Sequence, residues 1–476
     1  MGTKLRASIA FVMLIVAHTI ASLQPPEGLT SKSMAMLGIT LLALVYWATE
    51  CVPIPVTGLL IISLQVLYGI FPLGKAVSFI ASKVNILVLA GLVISVALTT
   101  YSLDKLIGLS IASLMGNRAD MLLLGLMLST AVLSMWIPNT AAAALMAPVA
   151  LGTLRLLKKE KGESNLGKVA MIGIAYAATA GGIGTPVGTP PVPITIENIE
   201  ATTGTKIGFA TWISWGIPIS IVLVLLAWRI LLLLYPPETK TMAVGRELIR
   251  ITLGDYGKLT SSQKHALGLF GLAALLWLLD PIISTVFKDR SWAADWTYLA
   301  SLIIIILYTV PVVGVLSWRQ VTEKVDWGIL FLVAGGLAIG EGLRETGIVD
   351  ALSRVASRFL ASVPEYVALV VIAIISGLGV SLFCSITATA STMVPLSLGI
   401  ATSTGIDPRL AGIFAGIASC FAFLLPANSP PNAIVYSHGY FKNYEMVKAG
   451  ALLIVAGILV LLLFAPLIEF VLTMIY

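Results

Sequence analysis

A chain of 476 residues in which 58% are hydrophobic and only 11% charged cannot fold as a soluble globular protein, because soluble domains carry about 25% charge. The net charge of +6 comes from loop lysines and arginines, and no basic cluster is interleaved with aromatics, which excludes a nucleic-acid binder. The composition is that of an all-α polytopic membrane protein with apolar runs for about eleven transmembrane spans.

The first apolar run, residues 8–23, follows Lys4 and Arg6. It reads as a retained first span, since no small-residue cleavage site is evident before Gln24, Pro25 and Pro26. Further runs at 34–50, 53–71 and 84–103 are punctuated by Glu50 to Pro55 and by a loop over 72–83. Glu50 stays open between a span end and a functional intramembrane carboxylate. Residues 103–118 turn amphipathic, with Asp104, Lys105, Asn117 and Arg118 among Leu and Ile, which suits a helix lying along the interface.

A re-entrant hairpin is expected at about 120–157, with its tip at Ser134 to Ala141. Pro138 removes a backbone donor and disfavours helix at Ile137, so the chain turns at membrane depth. Such backbone survives only inside protein or along a wet cavity, which makes the tip a place to hold a polar solute. The loop beyond it carries Arg155, Lys158, Lys159, Lys161 and Lys168 against Glu160 and Glu163 and is assigned to the cytoplasm. Residues 169–183 lead into Gly184 to Pro193, where Gly and Pro forbid regular helix and leave carbonyls free to coordinate. A loop over 197–206 is placed outside, and a span near 209–235 returns the chain. The polar linker over 236–265 holds Lys240, Arg246, Arg250, Lys258 and Lys264 and is again cytoplasmic.

The second half repeats this plan. Spans near 266–286, 297–316 and 327–346 precede an amphipathic stretch with Arg354 and Arg358, a hairpin near 365–402, a broken helix from Pro408 through Asn432, and a final span over 449–475. Pairs Ser134/Ser381, Thr140/Thr387, Met146/Met393, Pro148/Pro395 and Gly152/Gly399 all stand 247 residues apart. The pair Pro190/Pro430 stands 240 apart. An odd number of spans separates the hairpins, so the repeats are inverted, the arrangement of a repeat-built secondary transporter. The protein is placed in the cell (inner or plasma) membrane, N-terminus cytoplasmic and C-terminus extracytoplasmic.

Several residues read as structural. Cys51, Cys384 and Cys420 lack metal or redox spacing, His18, His265 and His438 are scattered at span ends, and Glu341, Arg344 and Glu345 form an interfacial charge cluster. Trp47, Trp212, Trp215, Trp228, Trp277, Trp292, Trp296, Trp318 and Trp327 are read mostly as belt anchors. An enzyme is excluded by the absence of an HExxH motif, a Ser/His pair or paired aspartates within the spans. A channel fits poorly with inverted halves and enclosed tips.

The stretches Ser134 to Ala141, Val325 to Leu337 and Ala422 to Val435 closely resemble the divalent anion:sodium symporter family, carriers of sulfate and of di- and tricarboxylates. The resemblance covers nearly the whole chain. It implies two opposed hairpins, a homodimer in membrane lipid, and elevator-like movement of a transport domain against a scaffold. Scaffold parts are then 1–118 and 266–363, transport parts 119–207 and 364–446, with a connecting span and linker at 208–265 and a final span at 447–476.

Carried over from the family, Asn139, Thr140, Ser385 and Thr387 at the tips, with Thr189, Pro190, Ser429 and Pro430 at the breaks, are the substrate ligands. Helix N-termini after each tip offer N–H groups to an anion. The resemblance further implies a first sodium site from Ser134, Pro138, Asn139 and Gly188, and a second from Ser381, Cys384, Thr387 and Asn428. Two positions depart from the family pattern. Pro138 replaces a serine, and Ile386 replaces an asparagine whose amide oxygen a hard cation would use. The expected activity is sodium-coupled carriage of C4 dicarboxylates such as succinate or malate, with fewer sodium ions per cycle than relatives. Dicarboxylate exchange, a sulfate carrier and proton coupling are the alternatives.

Overall fold

Backbone polar groups in a bilayer have no water to bond, so the chain must satisfy them itself. The computed structural model, which describes residues 2–115, 118–157, 161–240, 243–255, 257–360 and 363–474, does so with helices. Among the described residues, six helices are long and apolar enough to cross a membrane, or eight if each of two bent pairs is one span. The other expected runs form shorter apolar helices, Ile54–Leu67, Ala119–Ser134, Ala293–Thr309 and Pro408–Ala418. Lys158, Lys159, Glu160 and Asn117 lie outside the described residues, as does the side chain of Arg246.

The chain forms two compact units that interleave along the sequence. One comprises Met1–Asn85, Pro190–Ile207 and Asp326–Cys420, the other Ile86–Thr189, Gly208–Val325 and Phe421–Tyr476.

In the first unit, helix Ser31–Thr49 starts on a capping box of Thr30 and Ser33 and ends at Glu50, whose backbone is left-handed at φ 48. Glu50 is exposed, so it is a helix-ending residue. Small residues let helices approach closely. A Cβ on Gly58 of helix Ile54–Leu67 would sit 2.2 Å from the Phe331 carbonyl, and one on Gly335 2.6 Å from the Gly58 Cα. Gln65 joins the same pair of helices by donating to the Ala338 carbonyl at 2.6 Å. The second hairpin, Glu365–Phe383 and Ile386–Thr404, packs with Pro408–Ala418. Helix Pro191–Thr203 packs against Ile386–Thr404 and Pro408–Ala418. The amphipathic helix Ile348–Leu360 buries Ser353 against this hairpin and exposes Leu352, Val355 and Phe359, as an interfacial helix should.

In the second unit, the first hairpin is Ala119–Ser134 and Asn139–Leu156. Its first helix packs on Asn165–Gly182, where a Cβ on Gly181 would meet the Ala131 backbone at 2.4 Å. Helix Phe209–Leu234 packs along Asn443–Met474. The linker contains a helix over Ala243–Asp255, packed on Leu103–Leu114 and Asn139–Leu156 through buried Ile249. The expected tryptophan belt is only partly present. Trp292 and Trp318 are exposed, but Trp212 and Trp215 near the start of Phe209–Leu234 and Trp277 at the end of Ser261–Leu278 are fully buried. A large ring at a helix end serves packing as readily as anchoring.

Three helix ends of this unit are pinned together by charge. Lys168 lies 2.7 Å from Glu445, with side chains 13% and 6% exposed, and its ammonium sits over the Tyr235 ring. Tyr235 donates to the Glu445 carbonyl at 2.8 Å. Removing one partner of a buried pair strands the other, at about 3–5 kcal/mol. Lys168→Met is therefore expected to lower the thermal unfolding temperature of the detergent-solubilised protein sharply. Lys168→Met with Glu445→Gln should recover most of the loss, and a double variant as unstable as the single one would refute the pairing.

Candidate functional site

The first tip is opened by a proline and tied down by a serine. Pro138 (φ −51, ψ 138) precedes helix Asn139–Leu156 and contributes no side-chain cap, so the N–H groups of the first turn have no partner in the helix. The Pro138 carbonyl accepts from the Ala142 N–H at 3.1 Å, so one of its lone pairs is already engaged. The Ser134 hydroxyl lies 2.7 Å from both Asn139 Oδ1 and the Ala178 carbonyl. That contact fastens the tip to Asn165–Gly182.

The glycines of the first break are spaces that a side chain would fill. A Cβ on Gly182 would stand 2.4 Å from Asn139 Oδ1, and one on Gly188 would stand 2.6 Å from the Gly182 carbonyl and 2.8 Å from the Ser134 carbonyl. Ser134, Asn139 and Gly188 are thus brought together. Thr140 sits exposed at the start of its helix.

The second break belongs to the same unit. Asn428 accepts the Leu425 N–H through Oδ1 at 2.8 Å, closing a short turn before Ser429 and Pro430. Asn432 donates to the carbonyls of Ala422 and Leu425 at 2.7 and 2.9 Å. Helix Pro430–Ser437 packs against both Asn165–Gly182 and Asn139–Leu156. Four buried polar atoms along these segments have no hydrogen-bond partner: Thr179 Oγ1, Thr189 Oγ1, Ser429 Oγ and Asn432 Oδ1. Buried polar groups are normally paired, and these four oxygens lie on or next to the two breaks. No Lys, Arg, Asp or Glu occurs in either tip or either break.

The second tip and Pro190 belong to the other unit. Cys384 is left-handed at φ 48, its Sγ 3.6 Å from the Ser381 carbonyl. Ser385 caps the following helix by accepting the Ala388 N–H at 3.2 Å, which consumes one of the N–H groups expected to face an anion. Thr387 is buried, and its carbonyl accepts the Ser391 hydroxyl at 2.8 Å. Ile386 is half-buried at the helix start.

Sequence reasoning missed the residues that support this site. Tyr176 places its hydroxyl 2.9 Å from the Phe423 carbonyl and 2.8 Å from the Met446 carbonyl, and the Trp212 indole donates to the Ile183 carbonyl at 2.9 Å. Both hold unwound backbone. Neither carried a local signal, since each sits inside an apolar run. Asn432 did carry one, directly after Pro430 and Pro431. Among the described residues, no group of three or more His, Cys, Asp or Glu is placed to hold a metal. A cation bound at the breaks would therefore take neutral oxygens, the ligand type a hard cation accepts.

Comparison with known proteins agrees with this architecture. Residues 5–475 match the family model described as the sodium:sulfate symporter transmembrane region. A sodium-dependent dicarboxylate transporter, SdcS, of Staphylococcus saprophyticus is 31% identical over 453 residues, covering 92% of this chain and 86% of the relative. The SdcS protein of Staphylococcus aureus is 30% identical over 439 residues, covering 89% and 84%. Among solved structures, the Alcanivorax borkumensis YdaH transporter, noted for an unusual topology, aligns over 98% of both chains with a TM-score of 0.53 at 15% identity. At that identity the likeness concerns the fold alone.

A methyl group at Gly188 must displace backbone carbonyls. Overpacking of this kind costs about 1–3 kcal/mol, which at a binding step is roughly five- to 150-fold in affinity. Gly188→Ala is expected to lower solute uptake to that extent while leaving the amount of protein in the membrane unchanged, and wild-type uptake by the variant would remove the first break from the site.

Proposed function

The chain belongs to the sodium:sulfate symporter family, and on that footing we propose that it is a secondary active carrier of small divalent anions, most directly C4 dicarboxylates, driven by sodium. The observation that carries the reading is the neutral, under-satisfied polar set of the second unit. Thr179, Thr189, Ser429 and Asn432 offer buried oxygens without partners, beside the uncapped helix start at Asn139. Hydroxyls, amides and free N–H groups can hold a dianion without a buried Lys or Arg. Such a site releases its cargo as readily as it takes it, which a carrier requires. Sodium coupling is supported by the staphylococcal relatives, which are sodium-dependent dicarboxylate transporters by name.

The first sodium ion is assigned to Ser134, Asn139, Gly188 and the remaining lone pair of Pro138. The second site, Ser381, Cys384, Thr387 and Asn428, is weaker. Cys384 supplies sulfur, Ile386 supplies no amide, and Ser385 is engaged as a cap. That weakness favours a second reading, exchange of one dicarboxylate for another. Transport proceeds by an elevator movement of the parts at 119–207 and 364–446 against the scaffold parts, in a homodimer, with the C-terminus outside the cell.

Purified protein in proteoliposomes with an inward sodium gradient is expected to accumulate radiolabelled succinate, and Asn139→Ala is expected to abolish this with normal expression. Uptake only into succinate-preloaded vesicles, independent of sodium, would replace symport with exchange. Near-normal uptake by Asn139→Ala would remove the first tip from the site.

A further inference from the structure

Helix Pro191–Thr203 starts at the first break and carries the acidic residues Glu197 and Glu200. Glu197 lies six residues beyond Pro191, roughly 9 Å along the helix axis. Its Oε2 atom is buried and has no hydrogen-bond partner. The charges around it are otherwise engaged. Glu200 faces Lys83 at 3.9 Å, and Glu341 faces Lys75 at 3.5 Å and pairs with Arg344. Arg344 also donates to the Thr202 hydroxyl at 3.2 Å.

The elements packed around Glu197 bring it only cations that already face an acidic partner. Helix Ile386–Thr404, packed against Pro191–Thr203, has no titratable side chain. Helix Pro408–Ala418, also packed there, brings only Arg409, which is paired to Asp407 at 2.7 Å. Helix Gly328–Glu345 contributes Glu341, Arg344 and exposed Glu345. Lys75 and Lys83 keep 48% and 47% of their side chains in water, while their acidic partners keep about a fifth. Water therefore reaches the rim of this group of charges, and the Glu197 oxygen lies behind it.

We infer that Glu197 is a proton-binding site of the transport cycle, taking up a proton from the aqueous phase on one side of the membrane and releasing it on the other. The inference deepens the proposed function and rests on its alternating-access reading. As a carboxylate, Glu197 would hold part of its charge on a buried oxygen, Oε2, that has no donor; as a carboxylic acid it keeps a neutral group there, at far lower cost. An ionisable residue inside a membrane protein is retained for function more often than for stability. The chemistry balances simply. A proton leaves water on the entry side, an O–H bond forms at the Glu197 carboxylate, and the same bond breaks when movement of the helix brings the group to water on the exit side. That movement would part the ion pair of Lys83 and Glu200 and the hydrogen bond from Arg344 to Thr202.

The test uses the full chain in proteoliposomes containing an entrapped pH-sensitive dye, with sodium fixed and equal on both sides and the membrane potential clamped. Addition of succinate is expected to acidify the lumen with wild-type protein. Glu197→Gln should lose that acidification while retaining uptake when an inward sodium gradient is imposed in a separate assay, and Glu200→Gln should keep both. Persistent acidification in Glu197→Gln would mean that the proton travels on the succinate itself and would overturn the assignment. Loss of sodium dependence rather than of acidification would overturn it equally, making the carboxylate a sodium ligand. Wild-type protein that takes up succinate without acidification would refute the inference and leave the carrier intact. Absence of any sodium-driven or counterflow uptake by wild type would strike the proposed function instead.

Discussion

Everything in this molecule depends on how unwound backbone is satisfied at membrane depth. A helix interrupted in a bilayer exposes carbonyls and N–H groups, each costing several kcal/mol if unpaired. Here side chains from neighbouring helices take up that debt selectively. Trp212 holds the Ile183 carbonyl, Tyr176 holds that of Phe423, and Asn432 holds those of Ala422 and Leu425. Ser134 draws the first tip onto Ala178. These contacts fix the shape of the breaks, and the atoms they leave unbonded define where a solute can be held.

Those remaining atoms are neutral, and the charges are paired with one another elsewhere in the chain. The ion pair of Lys168 and Glu445 braces helix ends, and the pairs of Lys75, Lys83 and Arg344 gather around the far part of Pro191–Thr203. A lysine or arginine at the tips would bind a dianion tightly and slow its release. Prolines act in the same direction. Pro190, Pro191 and Pro193 remove N–H donors at the start of one post-break helix, and Pro430 and Pro431 at the other, so fewer backbone donors are offered there than at the Asn139 helix start.

Much of the fold could be read from residues whose chemistry admits one answer. Pro138 in an apolar run forces a turn, and the hairpin runs from Ala119 to Leu156. The repeated offsets located its twin at Glu365 to Thr404. Ser134, Asn139 and Gly188 were expected together and are found together. What escaped was long-range. Tyr176 meets Phe423 across 247 positions, and nothing adjacent to a tyrosine in an apolar run announces a carbonyl at that separation. The buried tryptophans misled for the same reason, because a position at a helix end does not tell whether another helix covers it. The helix at Ala243–Asp255 was hidden inside a linker read for its charge, and its packing depends on Ile249 meeting two partners distant in sequence.

The two inverted halves have diverged in a way that bears on coupling. The first tip combines an uncapped helix start with Ser134 and Asn139 drawn against Gly188, a setting rich in oxygen. Its counterpart has a left-handed Cys384, a Ser385 spent on its own helix, and Ile386 in place of an oxygen ligand. On the proposed assignment, the first tip offers the oxygen ligands that a hard cation needs and the second offers fewer. A carrier that must still return its mobile part with balanced charge can replace a lost cation by a proton, which needs only one carboxylate in a place that water reaches from each side in turn. Glu197 stands on the helix that leaves the first break and packs against the second hairpin's Ile386–Thr404, so on the proposed assignment the residue carrying the substitute charge sits against the half that offers fewer cation ligands.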